Sequence, residues 1–337
     1  MSDQAGAGCP GLFKRADGEV RRLGVELEFS GLEIDIIADA VQATFGGTVN
    51  AVSDYEKEVD DTRFGKFRIE LDFAYLKQLG KESDSNNDEL DIDRLPERIL
   101  AAIAERVVPF EIVTPPIPMD QTDALSGLVS TLREKGALGT RHSAVYAFGL
   151  HLNPEMPDLD SATINAYIRA FACLHLWLER VGKIDWSRQL TTYIKPYPKE
   201  YVRKIIESDY LPGIESLIDD YLDANPVRNR ALDMLPLFAH IDEERVRRVV
   251  DDDRVKARPA LHYRLPNCDI DTQGWNISTP WKQWLQVELL ANDRERLEGM
   301  MAGYRRYLDK PVASLIEDWS KSCERWLVDV DGSGHSS

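Results

Sequence analysis

The sequence predicts an α+β protein in which a mainly antiparallel sheet carries helices on one face. Two short segments, 25–29 and 67–73, alternate strictly between apolar and charged residues, which is the pattern of a half-buried strand. Longer segments repeat apolar residues every three or four positions, as amphipathic helices do. Strands with one apolar and one charged face favour an antiparallel or mixed sheet, with helices on the apolar face and an open face opposite.

The composition limits the class of protein and its partners. The 337 residues suffice for one large domain or two ordinary ones, and the apolar share of 43% is ample for a core. With 58 acidic and 41 basic residues, the net charge of −17 disfavours non-specific binding to nucleic acid or to an anionic membrane. We therefore expect neither partner. An anionic substrate such as ATP would need a local basic patch or a divalent cation.

The lack of a recognisable targeting signal and the cysteine usage predict a cytoplasmic protein. There is no apolar run long enough to span a bilayer, and the first ten residues lack the apolar core of a signal peptide. The four cysteines are scattered and form no metal-type pair, so we expect reduced thiols.

The first predicted strand places two carboxylates on the open face. Val25, Leu27 and Phe29 go to the covered face, and Glu26 and Glu28 go to the other. Residues two apart on a strand stand roughly 6–7 Å apart, close enough to flank one cation. Without a cation they would repel and raise one another's pKa. The structural alternative is an ordinary solvated strand face.

The remaining elements follow in chain order. The segment Ser30–Glu33 fits a capping box that starts a helix, which ends near Phe45 because Gly46 and Gly47 follow. The second alternating strand sets Arg68, Glu70 and Asp72 against an apolar face. The other predicted elements are a loop at 81–93, strands at 109–116, 144–152 and 285–289, helices at 95–107, 122–134, 292–308 and 312–328, and a helical block at about 161–252.

If the predicted strands are neighbours, their acidic residues converge on one floor. The candidate floor consists of Glu26, Glu28, Glu70 or Asp72, Glu111, His151 and Glu288. Such a floor needs neutralisation, and carboxylate oxygens select Mg²⁺ or Mn²⁺, which is commonly shared with nucleotide phosphates. The sequence has neither a P-loop motif nor a Gly-x-Gly-x-x-Gly motif opening a helix. If the protein binds a nucleotide, the remaining possibility is an ATP site lined by carboxylates.

Five short motifs occur in an order and spacing that resemble a known family. They are Gly24-Val-Glu-Leu-Glu28, Phe110-Glu-Ile-Val-Thr-Pro-Pro116, Gly149-Leu-His-Leu-Asn153, Arg264-Leu-Pro-Asn267 and Val287-Glu288. From about Arg21 to Leu290 the chain resembles the amidoligases, ATP-dependent carboxylate–amine ligases related to glutamine synthetase and glutamate–cysteine ligase. The resemblance implies a curved, glutamine-synthetase-like sheet. It also implies ATP and Mg²⁺ as cofactors, and amide or peptide-bond formation through an acyl phosphate.

The resemblance also implies roles for individual residues. The implied metal ligands are Glu26, Glu28, Glu111 and Glu288, with Asp72 (or Glu70) a looser match. The implied catalytic residues are His151, at the metal or phosphate edge, Asn153, in the same motif, and Arg264, on the phosphates. Arg258 and Arg141 are further candidates for phosphate binding, since arginine binds phosphate bidentately.

Two departures from the family pattern keep alternatives open. Asn153 stands where the family often has a second histidine, and Leu290 stands where it often has an arginine. One alternative is a catalytically degenerate binding or scaffold protein of the same fold. Another is a carboxylate-pair hydrolase, which needs two carboxyl groups at a defined gap and no nucleotide.

The sequence shows no internal repeat and no low-complexity linker, so we predict a single catalytic domain at 19–328. Residues 1–18 are predicted to be a flexible tail, and residues 329–337 a disordered end. The expected substrates are a carboxylate and an amine, as small molecules or within a peptide. The sequence does not identify them, and it leaves oligomerisation open.

Overall fold

The computed structural model describes residues 10–71, 109–140, 149–184, 194–310 and 318–330. The predicted loop at 81–93 and helix at 95–107 lie outside the described residues, as do Asp72 and Arg141.

The centre of the fold is one antiparallel sheet, as the alternating segments predict. Nine strands within the described ranges take part: β1 Arg22–Phe29, β2 Thr48–Ser53, β3 Glu56–Thr62, β4 Gly65–Leu71, β5 Phe110–Val113, β6 Ile117–Pro118, β7 Leu150–Pro154, β8 Leu232–Asp233 and β9 His262–Tyr263. Their order is β2-β3-β4-β5-β1-β7-β9-β8, and β6 pairs with the start of β1. Every pairing between these strands is antiparallel.

The two faces of β1 confirm the period-two prediction. Val25, Leu27 and Phe29 are fully buried, whereas Glu26 and Glu28 are half-buried on the other face. The apolar face of β4 is buried in the same way. We call the face that carries Glu26 and Glu28 the open face, and the opposite one the covered face.

Helices pack on the covered face. The helices are α1 Ile34–Phe45, α2 Leu125–Glu134, α3 Ser161–Val181, α4 Lys199–Ile205, α5 Ile214–Ala224, α6 Leu235–Ile241, α7 Glu243–Arg247, α8 Ser278–Ala291, α9 Arg294–Leu308 and α10 Trp319–Ser322. Phe171 of the long helix α3 meets Tyr263 of β9 edge to face, with ring centres 6.0 Å apart, and the ring of Trp284 of α8 lies 4.9 Å from that of Tyr263. Within the described ranges, no helix combines the length and the apolar character that crossing a membrane requires.

Several local predictions need correction. The helix α1 ends at Gly46, whose φ of 77° suits glycine, but it begins at Glu33 without a side-chain cap, so the predicted capping box is wrong. The hairpin of β2 and β3 was not predicted. Part of the predicted N-terminal tail is ordered, because Pro10–Phe13 forms a 3-10 helix and Phe13 is buried beside the Trp281 ring.

The predicted strand at 285–289 is wrong, because the segment lies inside helix α8. Trp281, Trp284, Leu285 and Glu288 are all buried, and they recur at the spacing of a helix face. A window of five residues contains too little of this repeat to distinguish a helix from a strand.

Candidate functional site

A line of glutamates crosses four neighbouring strands on the open face. Glu56 pairs with Glu70, Glu70 with Glu111, and Glu111 with Glu28 in the strand register. We call these four residues the acidic row. Side chains directly opposite on antiparallel strands have Cβ atoms about 5 Å apart, so like charges repel there. Burial raises the pKa of Glu70, and the charge of Glu56 raises it further, against an opposing effect of Arg68.

Glu26 lies two residues from Glu28 of the acidic row, on the same face of β1, and pairs with His151. His151 Nδ1 donates to Glu26 Oε2 at 2.6 Å, and Asn153 Nδ2 donates to Oε1 at 2.7 Å. Burial alone would raise the pKa of Glu26, but the hydrogen bond and charge of His151, together with the charges of His262 and Arg264, bring it well below its usual value. Glu26 is therefore held as a carboxylate.

His151 is enclosed between two carboxylates of β1. Its Nε2 lies 3.6 Å from Glu28 Oε1, while the other oxygen of Glu28 accepts a hydrogen bond of 2.7 Å from the backbone of Gly149. Because a carboxylate can only accept, the bond to Glu26 places the proton of neutral His151 on Nδ1. Nε2 then offers its lone pair.

These side chains form a candidate metal centre. Glu26, Glu111 and His151 each offer one ligand atom, and these atoms lie within 4.8 Å of one another. We call these three residues, together with Glu28, the carboxylate–histidine cluster. The three carboxylates are donors that suit Mg²⁺ or Mn²⁺, the imidazole adds one nitrogen ligand, and a divalent cation would offset the negative charge. The residues present therefore fit such a cation.

Basic residues lie at the β9 end of the open face. Arg264 follows β9 and is only 15% exposed, and its positive charge helps to lower the pKa of Glu26. Arg258 is exposed, and its charge acts on His262 of β9. Of the two predicted phosphate-binding arginines within the described residues, Arg264 therefore acts on Glu26 of the cluster, and Arg258 acts on the neighbouring strand β9.

Glu288 does not join the cluster, contrary to the prediction. It lies on α8, where Arg21 donates two hydrogen bonds to its carboxylate at 2.7 and 3.0 Å and Trp284 Nε1 donates a third at 2.9 Å. The hydroxyl of Tyr167 donates a fourth. This carboxylate is 1% exposed within the helical layer on the covered face, and it is saturated by protein donors. It has no lone pair left for a metal.

The departure at Leu290 concerns the same layer. Leu290 lies two residues later on α8 and is buried in the hydrophobic core. Residue 290 is therefore not part of the open face. The replacement of the family's arginine by Leu290 thus removes no side chain from the candidate site.

Sequence reasoning missed two polar residues on the open face. Asp233 of β8 pairs with His262 of β9, and His262 follows Asn153 of β7 because Leu152 pairs with Tyr263. Burial lowers the pKa of His262 to about 3 and raises that of Asp233 to about 6. The strands β8 and β9 have two residues each, too short for a visible alternation, so the sequence carried no usable signal.

Among the comparisons with known proteins, one family model matches the chain. A family model described as "Putative amidoligase enzyme" matches residues 19–286 of the chain. Neither a curated protein nor a solved structure matches the chain. The glutamine-synthetase-like form of the sheet therefore stays a prediction.

Proposed function

The chain belongs to the amidoligase family, and from that premise we propose that it is an ATP- and Mg²⁺-dependent ligase joining a carboxylate to an amine. The observation that carries this proposal is the convergence of Glu26, Glu111 and His151 on the open face, with their ligand atoms within 4.8 Å of one another. Membership in a ligase family, together with a cluster of carboxylate ligands whose charge field includes Arg264, favours a nucleotide-dependent reaction.

The carboxylate–histidine cluster would hold the cation. Glu26, Glu28 and Glu111 would supply carboxylate oxygens, and His151 would supply Nε2, since its Nδ1 is held by Glu26. When bound, Mg²⁺ neutralises charge on the β- and γ-phosphates during phosphoryl transfer. The bonds from Asn153 and from the Gly149 backbone keep Glu26 and Glu28 in fixed orientations, which spares reorganisation during the reaction.

Arg264 would bind the phosphates and later stabilise the developing negative charge. Its Nε lies 4.0 Å from Asp233 Oδ2, its charge acts on Glu26, and a guanidinium can contact two phosphate oxygens at once. In the first step the substrate carboxylate takes the γ-phosphoryl group and ADP leaves. In the second, the neutral amine forms the C–N bond, the C–O bond to phosphate breaks, and inorganic phosphate leaves with the proton that the amine gives up.

Burial of the cluster favours this chemistry. The side chains of Glu26, His151 and Glu28 are 14%, 10% and 16% exposed, so water has little access to them. A low local dielectric strengthens the interactions with the phosphates, and limited water protects an acyl phosphate from hydrolysis.

The test is calorimetric titration with a non-hydrolysable ATP analogue, with and without Mg²⁺. We expect binding that requires Mg²⁺, and a loss of about tenfold or more in affinity for Glu26→Gln and for Glu111→Gln, because each removes one anionic ligand. Glu298→Gln is the matched control, since Glu298 lies on α9 with an exposed side chain. Unchanged Mg-nucleotide affinity in both cluster variants would contradict the proposal, and so would a wild-type chain that binds no nucleotide.

A further inference from the structure

A second line of polar side chains crosses the open face next to the cluster. In the strand register, Gly24 of β1 pairs with Asn153 of β7, which is followed by His262 of β9 and Asp233 of β8. Asn153, His262 and Asp233 are 5%, 7% and 0% exposed. We call these three residues the acceptor row. Neither His262 nor Asp233 belongs to the carboxylate–histidine cluster.

Each member of the acceptor row has a buried polar atom without a hydrogen bond. Among the described residues, no hydrogen-bond partner exists for Asn153 Oδ1, for Asp233 Oδ2 or for either ring nitrogen of His262. Proteins rarely leave one such atom unsatisfied, and here three neighbouring strands each contribute at least one. A polar group from outside the chain is the natural partner for such a concentration.

The unsatisfied atoms are mainly acceptors, and their orientations are fixed. Asn153 uses its Nδ2 to hold Glu26 at 2.7 Å, so its carbonyl oxygen is the remaining atom. Asp233 uses Oδ1 to accept a bond of 3.0 Å from the backbone of Leu235, so Oδ2 remains. Arg264 Nε lies 4.0 Å from Asp233 Oδ2, beyond hydrogen-bond distance. A ligand for this row must therefore bring hydrogen-bond donors.

Gly24 leaves the space that Asn153 occupies. A Cβ at this position would lie 3.4 Å from Asn153 Cβ and 3.6 Å from its Nδ2. Without that Cβ, the amide can lie across β1 and reach Glu26. The orientation of Asn153, and with it the direction of its carbonyl oxygen, thus depends on the absence of a side chain at residue 24.

Arg228 is a candidate anion-binding residue at the Asp233 end of the row, because its Nε makes no hydrogen bond with the described residues. The guanidinium of Arg228 is half-buried, and its Nε has no partner in the part of the chain that the structure describes. Burial lowers the pKa of Arg228 to about 10, and the charges of Arg264 and Asp233 act on it in opposite directions. The charges of both residues thus reach Arg228, and its Nε is a donor for an anionic group.

We propose that the acceptor row binds the amine substrate of the ligase, and that this substrate is an amino acid. Its ammonium group lies on Asn153 and Asp233, with His262 beside them, and its carboxylate lies on Arg228. The inference rests on the function proposed above. It adds the place of the nucleophile, because Asn153 is two residues from His151 and a strand separates such side chains by roughly 6–7 Å.

The experiment is calorimetric titration of the full chain with each of the twenty amino acids, in the presence of Mg²⁺ and the non-hydrolysable ATP analogue. We expect one amino acid, or a few of similar side chain, to bind. Asp233→Asn should weaken that binding about tenfold or more, since the amide carbonyl keeps the Leu235 bond and its NH₂ then faces the ammonium. Asp209→Asn, the same change at an exposed position, should leave it unchanged.

A second variant tests the carboxylate contact. Arg228→Gln should weaken binding of the amino acid about tenfold, and should leave unchanged the weaker binding of the amine obtained by removing its carboxyl group. Because Arg228 is half-buried and on a loop, this variant decides the question if Asp233→Asn does not fold.

The outcomes separate the two proposals. If the wild-type chain binds the Mg-nucleotide but no amino acid, or if both variants bind the amino acid like the wild type, the acceptor row is not the amine site and the ligase proposal stands. Finding only ordered water on the row in an amino-acid soak would overturn the inference in the same way. If the wild-type chain binds no Mg-nucleotide, the ligase proposal itself fails.

Discussion

Glu26 and Glu288 illustrate two kinds of buried carboxylate on opposite faces of one sheet. The sequence predicts both as metal ligands. Glu288 accepts hydrogen bonds from Arg21, Trp284 and Tyr167, whereas Glu26 accepts hydrogen bonds from His151 and Asn153.

The difference shows what makes a carboxylate available to a cation. An ionised carboxyl group has about four lone-pair positions, and Glu288 has four protein donors, including a full positive charge. Glu26 has fewer donors and lies with Glu111 in the carboxylate–histidine cluster. Burial alone is therefore a poor indicator of a metal site, and the number and charge of the donors decide.

The largest expected effect comes from breaking the saturated carboxylate. Glu288→Gln leaves the Arg21 guanidinium buried without its counter-ion, and should lower the free energy of unfolding by about 3–5 kcal/mol. Urea denaturation at neutral pH measures this loss, and the double variant Arg21→Met with Glu288→Leu should recover most of it. A loss below about 1 kcal/mol would mean that the buried pair is not what distinguishes Glu288 from Glu26.

Asp233 is an intermediate case, because it is fully buried with a single backbone donor and two arginines nearby. Its pKa of about 6 in the fold exceeds the ordinary 3.8, so its stabilising contribution is complete below pH 4 and is lost as pH rises through 6. Asp233→Asn should therefore be more stable than the wild type by up to ~3 kcal/mol at pH 8. The difference should vanish at pH 3.5, as urea titrations at both pH values would show. Equal stability at pH 8 would indicate that the arginines compensate the buried charge.

The smallest effect concerns repulsion within the acidic row. Glu70→Gln removes a carboxylate whose pKa is raised by burial and by Glu56, so it should raise stability at neutral pH by about 0.5 kcal/mol in Mg²⁺-free buffer. Millimolar Mg²⁺ should reduce this gain, because a cation in the cluster already offsets part of the negative charge. Thermal melts with and without Mg²⁺ measure both quantities. A gain of the same size in both buffers would place the cation elsewhere.

Much of the fold was predictable because its evidence is local. The alternation in β1 and β4 assigns each side chain to a face within a few residues, and the structure confirms those faces. The long apolar repeat of α3 and the glycines after α1 also act over short distances. Where a segment was short, as at 285–289, the local evidence was ambiguous and a helix was mistaken for a strand.

The candidate site was predictable only in part. Glu26, Glu28, Glu111 and His151 were identified from motifs, and the structure brings them together on the open face. Asp233 and His262 were missed, because strands of two residues contain no pattern that predicts which strands they pair with.

The sequence by itself determined which face of β1 and of β4 each residue occupies, because period-two geometry is a property of the chain within one strand. Only the tertiary structure decided that Glu70, Glu111 and Glu28 stand side by side, that Glu288 belongs to the core, and that Asn153, His262 and Asp233 form one row. The physical reason is that strand register and helix packing depend on partners distant in the chain, whose pairing no local pattern encodes.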